Sequence, residues 1–142
     1  LAYAGTLDGR LIVIDLSTDT LLTRFQMPSA VRIDDLTLWR DHLYVIQGAQ
    51  MTPVETATLT PLAAVTLSGQ GGGTQPHLFA GDGTLYISHS SGVHVLDTSS
   101  APGAPTLVQN LSSLLMLACA VAKQLCLKRL WMKLYLWAIA KR

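Results

Sequence analysis

The sequence predicts an all-β chain: a partial β-propeller of about three four-stranded antiparallel blades, followed by an apolar, basic tail. Three observations carry that expectation. Strand signals recur with a period near 41 residues, turn-forming residues fall between them at matching places, and the composition supports a core. Of 142 residues, 49% are hydrophobic and only 13% charged. Ordinary domains carry ~25% charge, and a disordered chain would carry much charge and few apolar groups, so disorder is excluded for most of the length.

The period is set by three aromatic strand signals, Ala2-Tyr3-Ala4, Leu43-Tyr44-Val45 and Leu85-Tyr86-Ile87, whose tyrosines stand 41 and then 42 residues apart. A second strand follows each. It is Leu11 to Asp15 in the first copy and Gly92 to Asp97 in the third; Pro53 interrupts it in the second, where Thr56 is expected in place of the aspartate. Proline inside a strand implies an edge, a first residue or a bulge. A third apolar run covers Leu21 to Phe25, Leu62 to Leu67 and Thr106 to Leu111. A fourth covers Leu36 to Trp39, Leu78 to Ala80 and, weakly, Ala118 to Ala122. Four short strands per repeat is the content of a propeller blade. The expected units are residues 2–42, 43–84 and 85–122, with the tail at 123–142. A β-sandwich is the alternative architecture, because short strands with regular turn signals fit both.

The turns agree with the strands. Asp8-Gly9 and Ser90-Ser91-Gly92 separate first from second strands, and Asp41-His42 and Asp82-Gly83 precede the tyrosine strands. Asp-Gly supplies the positive φ of a tight hairpin. Asp15-Leu16-Ser17 and Asp97-Thr98-Ser99 end the second strands, with carboxylates that can accept hydrogen bonds from nearby backbone N–H groups and close a turn.

Copy three, from Leu85 through His89, Gly92, His94 and Asp97 to Ser99, with Pro102 and Pro105 to Val108 following, resembles the LVIVD repeat of bacterial and archaeal surface β-propellers. Copy one, from Ala2-Tyr3-Ala4-Gly5 through Asp8-Gly9-Arg10-Leu11 to Phe25, also resembles the YVTN and quinoprotein-like repeats, from which it differs at Thr23, where those repeats carry tryptophan. The resemblance covers about residues 2 to 122. It implies a propeller fold and an exported location (extracellular, periplasmic or cell surface), and it implies no particular activity, since propellers host many.

Charge divides the chain in two. Residues 1–110 hold four arginines, no lysine and all nine acids, a balance of −5, whereas residues 111–142 hold six basic residues and no acid. The acidic part would repel phosphate, so nucleic acid is not an expected partner. In the tail, Leu127, Leu130, Trp131, Leu134, Trp137 and Ala138 share one helical face. Three readings of it stand: cover for an open blade face, weak contact with an anionic membrane surface, or a non-native end such as an out-of-frame product. The start at Leu1, inside a strand signal, predicts a missing N-terminal part.

No residue set is predicted to be catalytic, to bind a cofactor or to hold a metal. Cys119 and Cys126 are seven apart, about 10.5 Å along a helix, too far for one disulfide, and neither has a zinc-spaced partner. His89 and His94 flank a hairpin turn but supply two ligands at most. His77 stands where Asp35 stands in the preceding copy, and a polar group there is expected to fasten the inner strand by bonding backbone. Asp34 and Asp35 are neighbours in a strand and so face apart. Gly69 to Thr74 is glycine-rich without the G-K-[ST] ending of a phosphate loop. Asn110-Leu111-Ser112 satisfies a glycosylation sequon. The expected function is therefore a non-enzymatic binding or scaffold module. Its expected partner is a protein or cell-surface component, the remaining blades of a longer propeller, or a second copy. The alternatives are a fragment of an enzymatic propeller, quinoprotein dehydrogenase-like or lactonase-like, and a peripheral membrane protein.

Overall fold

Alternating apolar residues and left-handed turn residues fold this chain into three antiparallel sheets, seen in a computed structural model that describes residues 1–68 and 76–112. Sheet A is β1 (Ala2–Gly5), β2 (Arg10–Asp15) and β3 (Thr20–Gln26), in that order. Sheet B runs β4 (Asp35–Trp39), β5 (His42–Gln47), β6 (Gln50–Glu55) and β7 (Thr60–Pro61), with β8 (Val65–Thr66) also paired to β6. Sheet C is β9 (His77–Gly81), β10 (Thr84–His89), β11 (Gly92–Asp97) and β12 (Thr106–Ser112). Within each sheet the strands pair in sequence order, β8 excepted, and no helix occurs among the described residues. A sandwich would interleave strands between two sheets; here every sheet is a local meander and the three stack in chain order, which sets the sandwich alternative aside.

The tyrosine period maps onto equivalent places. Tyr3 lies opposite Val13, Tyr44 opposite Pro53 and Tyr86 opposite Val95. The sheets are nevertheless phased one strand earlier than the repeat units. The run Leu36 to Trp39 pairs forward with the Tyr44 strand, and Leu78 to Ala80 with the Tyr86 strand. Residues 43–84 therefore take strands from two sheets. Two-residue turns cause this: Asp82 (φ 50°) and Gly83 (φ 75°) both adopt positive φ, the twist-matched hairpin geometry, and Arg40 (φ 55°) does so between β4 and β5. Gly83 is required twice over, because a Cβ there would lie 2.8 Å from the Ser99 Cβ.

The outer strand carries the same irregularity in each sheet. Pairing with β3 skips a residue after Val13 and pairing with β12 skips one after Val95, the two positions equivalent to Pro53. In sheet B the outer strand breaks there into β7 and β8, and the Leu62 N–H donates to the Pro53 carbonyl at 2.8 Å. The N–H that Pro53 lacks would point to that same side, into the break, so the proline sits at a bulge. The carboxylate equivalent to Asp15 and Asp97 is Glu55, two residues after Pro53, and not Thr56 as expected. Its longer side chain reaches one residue further and accepts from the Thr58 hydroxyl at 2.7 Å, while Thr56 donates to the Asp41 carbonyl.

The core is two layers between three sheets. Between A and B lie Leu11, Met27, Ile33, Leu43, Val45 and Val54, with Tyr3 and Phe25 against them. Between B and C lie Tyr44, Ile46, Met51, Leu67, Leu85, Ile87 and Leu96. The Tyr44 hydroxyl donates to the Pro102 carbonyl at 3.0 Å, tying sheet B to the loop before β12, and burial pushes its pKa up. That loop comes so close that a Cβ on Gly103 would meet the Leu62 Cδ1 at 2.7 Å. The helical face of the tail, Cys119, Cys126 and the weak strand at Ala118 to Ala122 lie outside the described residues.

Candidate functional site

The inner strands β4 and β9 begin, and β5 and β10 end, at one end of the stack. That end carries Arg32 and Asp34 in the loop before β4, Asp35, Gln47, His77 and His89 at strand ends, and His94 within β11. This loop end is the candidate site, and its geometry follows from what each polar group already holds.

Asp34 is occupied on both oxygens. Arg32 contacts Oδ1 through Nε at 2.8 Å and a terminal guanidinium nitrogen at 2.6 Å, and the Gly48 N–H donates to Oδ2 at 2.8 Å. Asp35 accepts from the Leu36 N–H at 2.9 Å and, across the joint, from the Leu78 N–H at 2.7 Å. The two neighbouring aspartates thus face apart, as strand pleating requires. One pins the β5–β6 turn and the other pins sheet C to sheet B. Gln47, buried, donates to the Ser29 and Val31 carbonyls at 2.7 and 2.6 Å and holds the loop between β3 and β4 in place.

His77 and Asp35 occupy equivalent places at the start of β9 and β4. Sheet stacking brings them to 3.7 Å, with the His77 side chain 78% exposed. The fastening role expected of this position is filled by Asp35. Among the described residues, the His77 side chain has Asp35 beside it and is mostly exposed.

His89 and His94 meet, though not as directly opposed partners. His94 is opposite Ile87 and His89 opposite Gly92, so the histidines are diagonal neighbours on the face toward sheet B. Their rings stack with centroids 4.5 Å apart and planes 21° from parallel. A metal 2.0–2.1 Å from both would need converging lone pairs; nearly parallel rings direct theirs side by side. No group of three His, Cys, Asp or Glu is placed to hold a metal among the described residues. His94 is buried, and burial first, then the proximity of His89, pushes its pKa down; the Ser68 backbone opposes this. Neither His94 ring nitrogen has a hydrogen-bond partner among the described residues. The two rings form a stacked pair on the face toward sheet B, with His94 fully buried.

At the other end, Asp15 accepts from the Ser17 N–H and hydroxyl at 2.8 and 2.7 Å, and Asp97 from the Ser99 N–H and hydroxyl at 2.8 and 2.6 Å. The serine hydroxyls first, then the backbone N–H groups, hold both carboxyls below the usual range. Asn110 is exposed on β12. The glycine-rich run from Gly69 to Thr74 lies outside the described residues. The residues that sequence reasoning passed over are Gln47 and Tyr44, whose partners are loops distant in sequence. The only signal for them was a glutamine and a tyrosine in a continuous apolar run.

Comparison with known proteins follows this geometry. No family model matches the chain, and no curated protein matches it. Solved structures do. Apo AztD from Citrobacter koseri is similar with a TM-score of 0.59 at 17% identity, over 79% of this chain and 33% of that one. The β-propeller domain of Myceliophteria thermophila Cps50 (Swd1) is similar with a TM-score of 0.55 at 13% identity, over 74% of this chain and 34% of that one. At such identities the likeness is one of fold. The chain is a partial β-propeller, and it spans about a third of the length of these structures.

Proposed function

We propose that this chain is a β-propeller module of the LVIVD/YVTN type that binds a protein or cell-surface component, without catalysis, as part of an exported bacterial or archaeal protein. The observation behind the non-catalytic reading is the state of the carboxylates. Asp34, Asp35, Asp15 and Asp97 each accept backbone N–H groups, so they build loops and joints. General-base catalysis needs a free imidazole or carboxylate set beside further reacting groups; the solvent-facing imidazole at this end, His77, has beside it Asp35, which is already held by the Leu78 N–H. What the loop end offers instead is hydrogen-bonding and charged surface on a rigid scaffold, through Arg32, His77 and the turns around them. Export is supported by the resemblance of the repeats to surface propellers.

The test combines two measurements on the purified full chain. The first is metal analysis with an absorbance spectrum; a stoichiometric metal or a quinone band overturns the reading in favour of an enzymatic propeller. The second is saturable binding of labelled protein to bacterial envelope fractions, expected to weaken several-fold in Arg32→Glu and His77→Ala and to stay unchanged in Leu7→Ser. Binding that ignores the loop-end changes overturns the assignment of that surface.

A further inference from the structure

Sheets A and B meet in a joint that lacks one strand. In sheets B and C the tyrosine strand is paired on both sides: β5 lies between β4 and β6, and β10 between β9 and β11. In sheet A the equivalent strand, β1, pairs with β2 on one side and has no strand on the other among the described residues. Ala4 and Gly5 of β1 are exposed, where Val45 and Ile46, their equivalents in β5, are buried.

The facing sheet shows the same gap. Leu36 and Leu38 stand opposite Val45 and Leu43 and so share their face, toward sheet A. Leu38 is 51% exposed. Its counterpart in sheet C, Ala80, packs with Leu78 into the layer between B and C, where β4 lies against β9. There β4 turns Trp39 into the layer, Thr37 to the side of Tyr44, and the Asp35 carboxylate to the Leu78 N–H at 2.7 Å. The edge of β1 and the Leu36–Leu38 side of β4 therefore bound a groove one strand wide, neighbouring strands standing about 4.8 Å apart. Its wall offers backbone N–H and C=O groups, and its floor offers leucine.

We propose that this groove binds an extended segment from outside residues 1–142 by strand addition, antiparallel to β1. The contact continues the interface already present between sheets B and C, in which one inner strand lies on the next. The segment it fits has the chemistry of β4: an acceptor side chain at its head, then small or apolar groups at every second position, turned onto Leu36 and Leu38. The other free edges fit less well. β3 and β12 each carry a bulge, which blunts an edge, whereas β1 pairs in unbroken register. Beyond β4 and β9, each the innermost strand of its sheet, no neighbouring strand among the described residues supplies a floor.

The probe is a synthetic, fluorescently labelled peptide of residues 33–39, which contain β4, titrated into the purified full chain. A strand directs its N–H groups alternately to its two edges. N-methylation of one alternate set of peptide amides therefore blocks addition, and methylation of the other set does not. The expected result is saturable binding of the parent peptide, weakened roughly tenfold or more in one methylated peptide and unchanged in the other. Amide hydrogen exchange should slow across Ala2–Gly5 and stay as it was in β3, β9 and β12. Leu38→Arg, on the floor, should weaken binding by a similar factor, and Leu7→Ser, in an exposed turn, should leave it unchanged. The paired peptides need no protein variant, so misfolding cannot produce their contrast. Absence of saturable binding, equal binding by the two methylated peptides, or protection at another edge overturns the proposal. So does binding that appears only once residues 113–142 are removed, which would assign the groove to the tail.

Discussion

Strands β5 and β10 are the same strand in two settings. His42–Gln47 and Thr84–His89 each pair with an inner strand on one side and a hairpin partner on the other. In β5 every residue after His42 is buried, because sheet A covers one face and sheet C the other. In β10 burial alternates: Leu85 and Ile87 are covered by sheet B, and Tyr86 and Ser88 are exposed. The backbone register is identical and the tyrosines are equivalent. Their energetic roles differ because, among the described residues, Tyr44 faces a neighbouring sheet and Tyr86 does not. A position in a repeat takes its stability from the unit beside it.

The sharpest test of that contrast is the tyrosine pair. Tyr44→Ala is expected to cost about 3–5 kcal/mol in chemical denaturation, the range for emptying a buried aromatic site, and the loss should not depend on protein concentration. Tyr86→Ala, at a position 43% exposed, should cost less than half as much. Equal losses would break the comparison.

The next effect concerns the equivalent pair Asp35 and His77. Asp35→Ala leaves the Leu78 N–H without its acceptor and is expected to cost about 1–3 kcal/mol; Asp35→Asn, which keeps an acceptor oxygen, should recover most of it. His77→Ala at the exposed counterpart should stay within about 0.5 kcal/mol of the parent.

Acid should separate the two joints. His94 lies in the layer toward sheet B with its pKa pushed down by burial, so the folded chain binds fewer protons there than the unfolded chain. Stability from this group is complete above the ordinary histidine value of about 6.5 and is lost as pH falls from there toward the lower folded value. Thermal melts between pH 7.5 and 5 should show a falling midpoint, and His94→Asn should flatten the slope. A slope unchanged in His94→Asn would remove the histidine stack from the account.

The smallest effect is expected at Pro53. Pro53→Val gives the outer side of β6 an N–H facing the break between β7 and β8 and returns backbone entropy to the unfolded chain, for a loss of about 0.4–1 kcal/mol. A gain in stability would mean that the break is strained by the proline.

Much of the strand content was legible because its signals are local. Tyr3, Tyr44 and Tyr86 fall on equivalent strands, and Asp15-Ser17 and Asp97-Ser99 close the turns expected of them, since a carboxylate and an N–H two residues on need no tertiary help. The phase of the sheets was not legible. Leu36 to Trp39 lies between two strands and could join either; only the geometry of the turn at Arg40 sends it forward to Tyr44. At the candidate site, the separation of Asp34 from Asp35 was readable from strand pleating. The Asp35 bond to Leu78, the Gln47 clasp and the His89–His94 stack join residues whose spacing in sequence carries no mark of their contact.

Periodicity alone determined that this chain makes repeated antiparallel meander sheets, because alternation and turn chemistry act over a few residues and recur wherever the residues recur. Which faces are sealed, which carboxylates are spent on backbone and which tyrosine stands open were decided only when the sheets stacked. Those properties belong to the gap between two sheets, and no single repeat contains a gap.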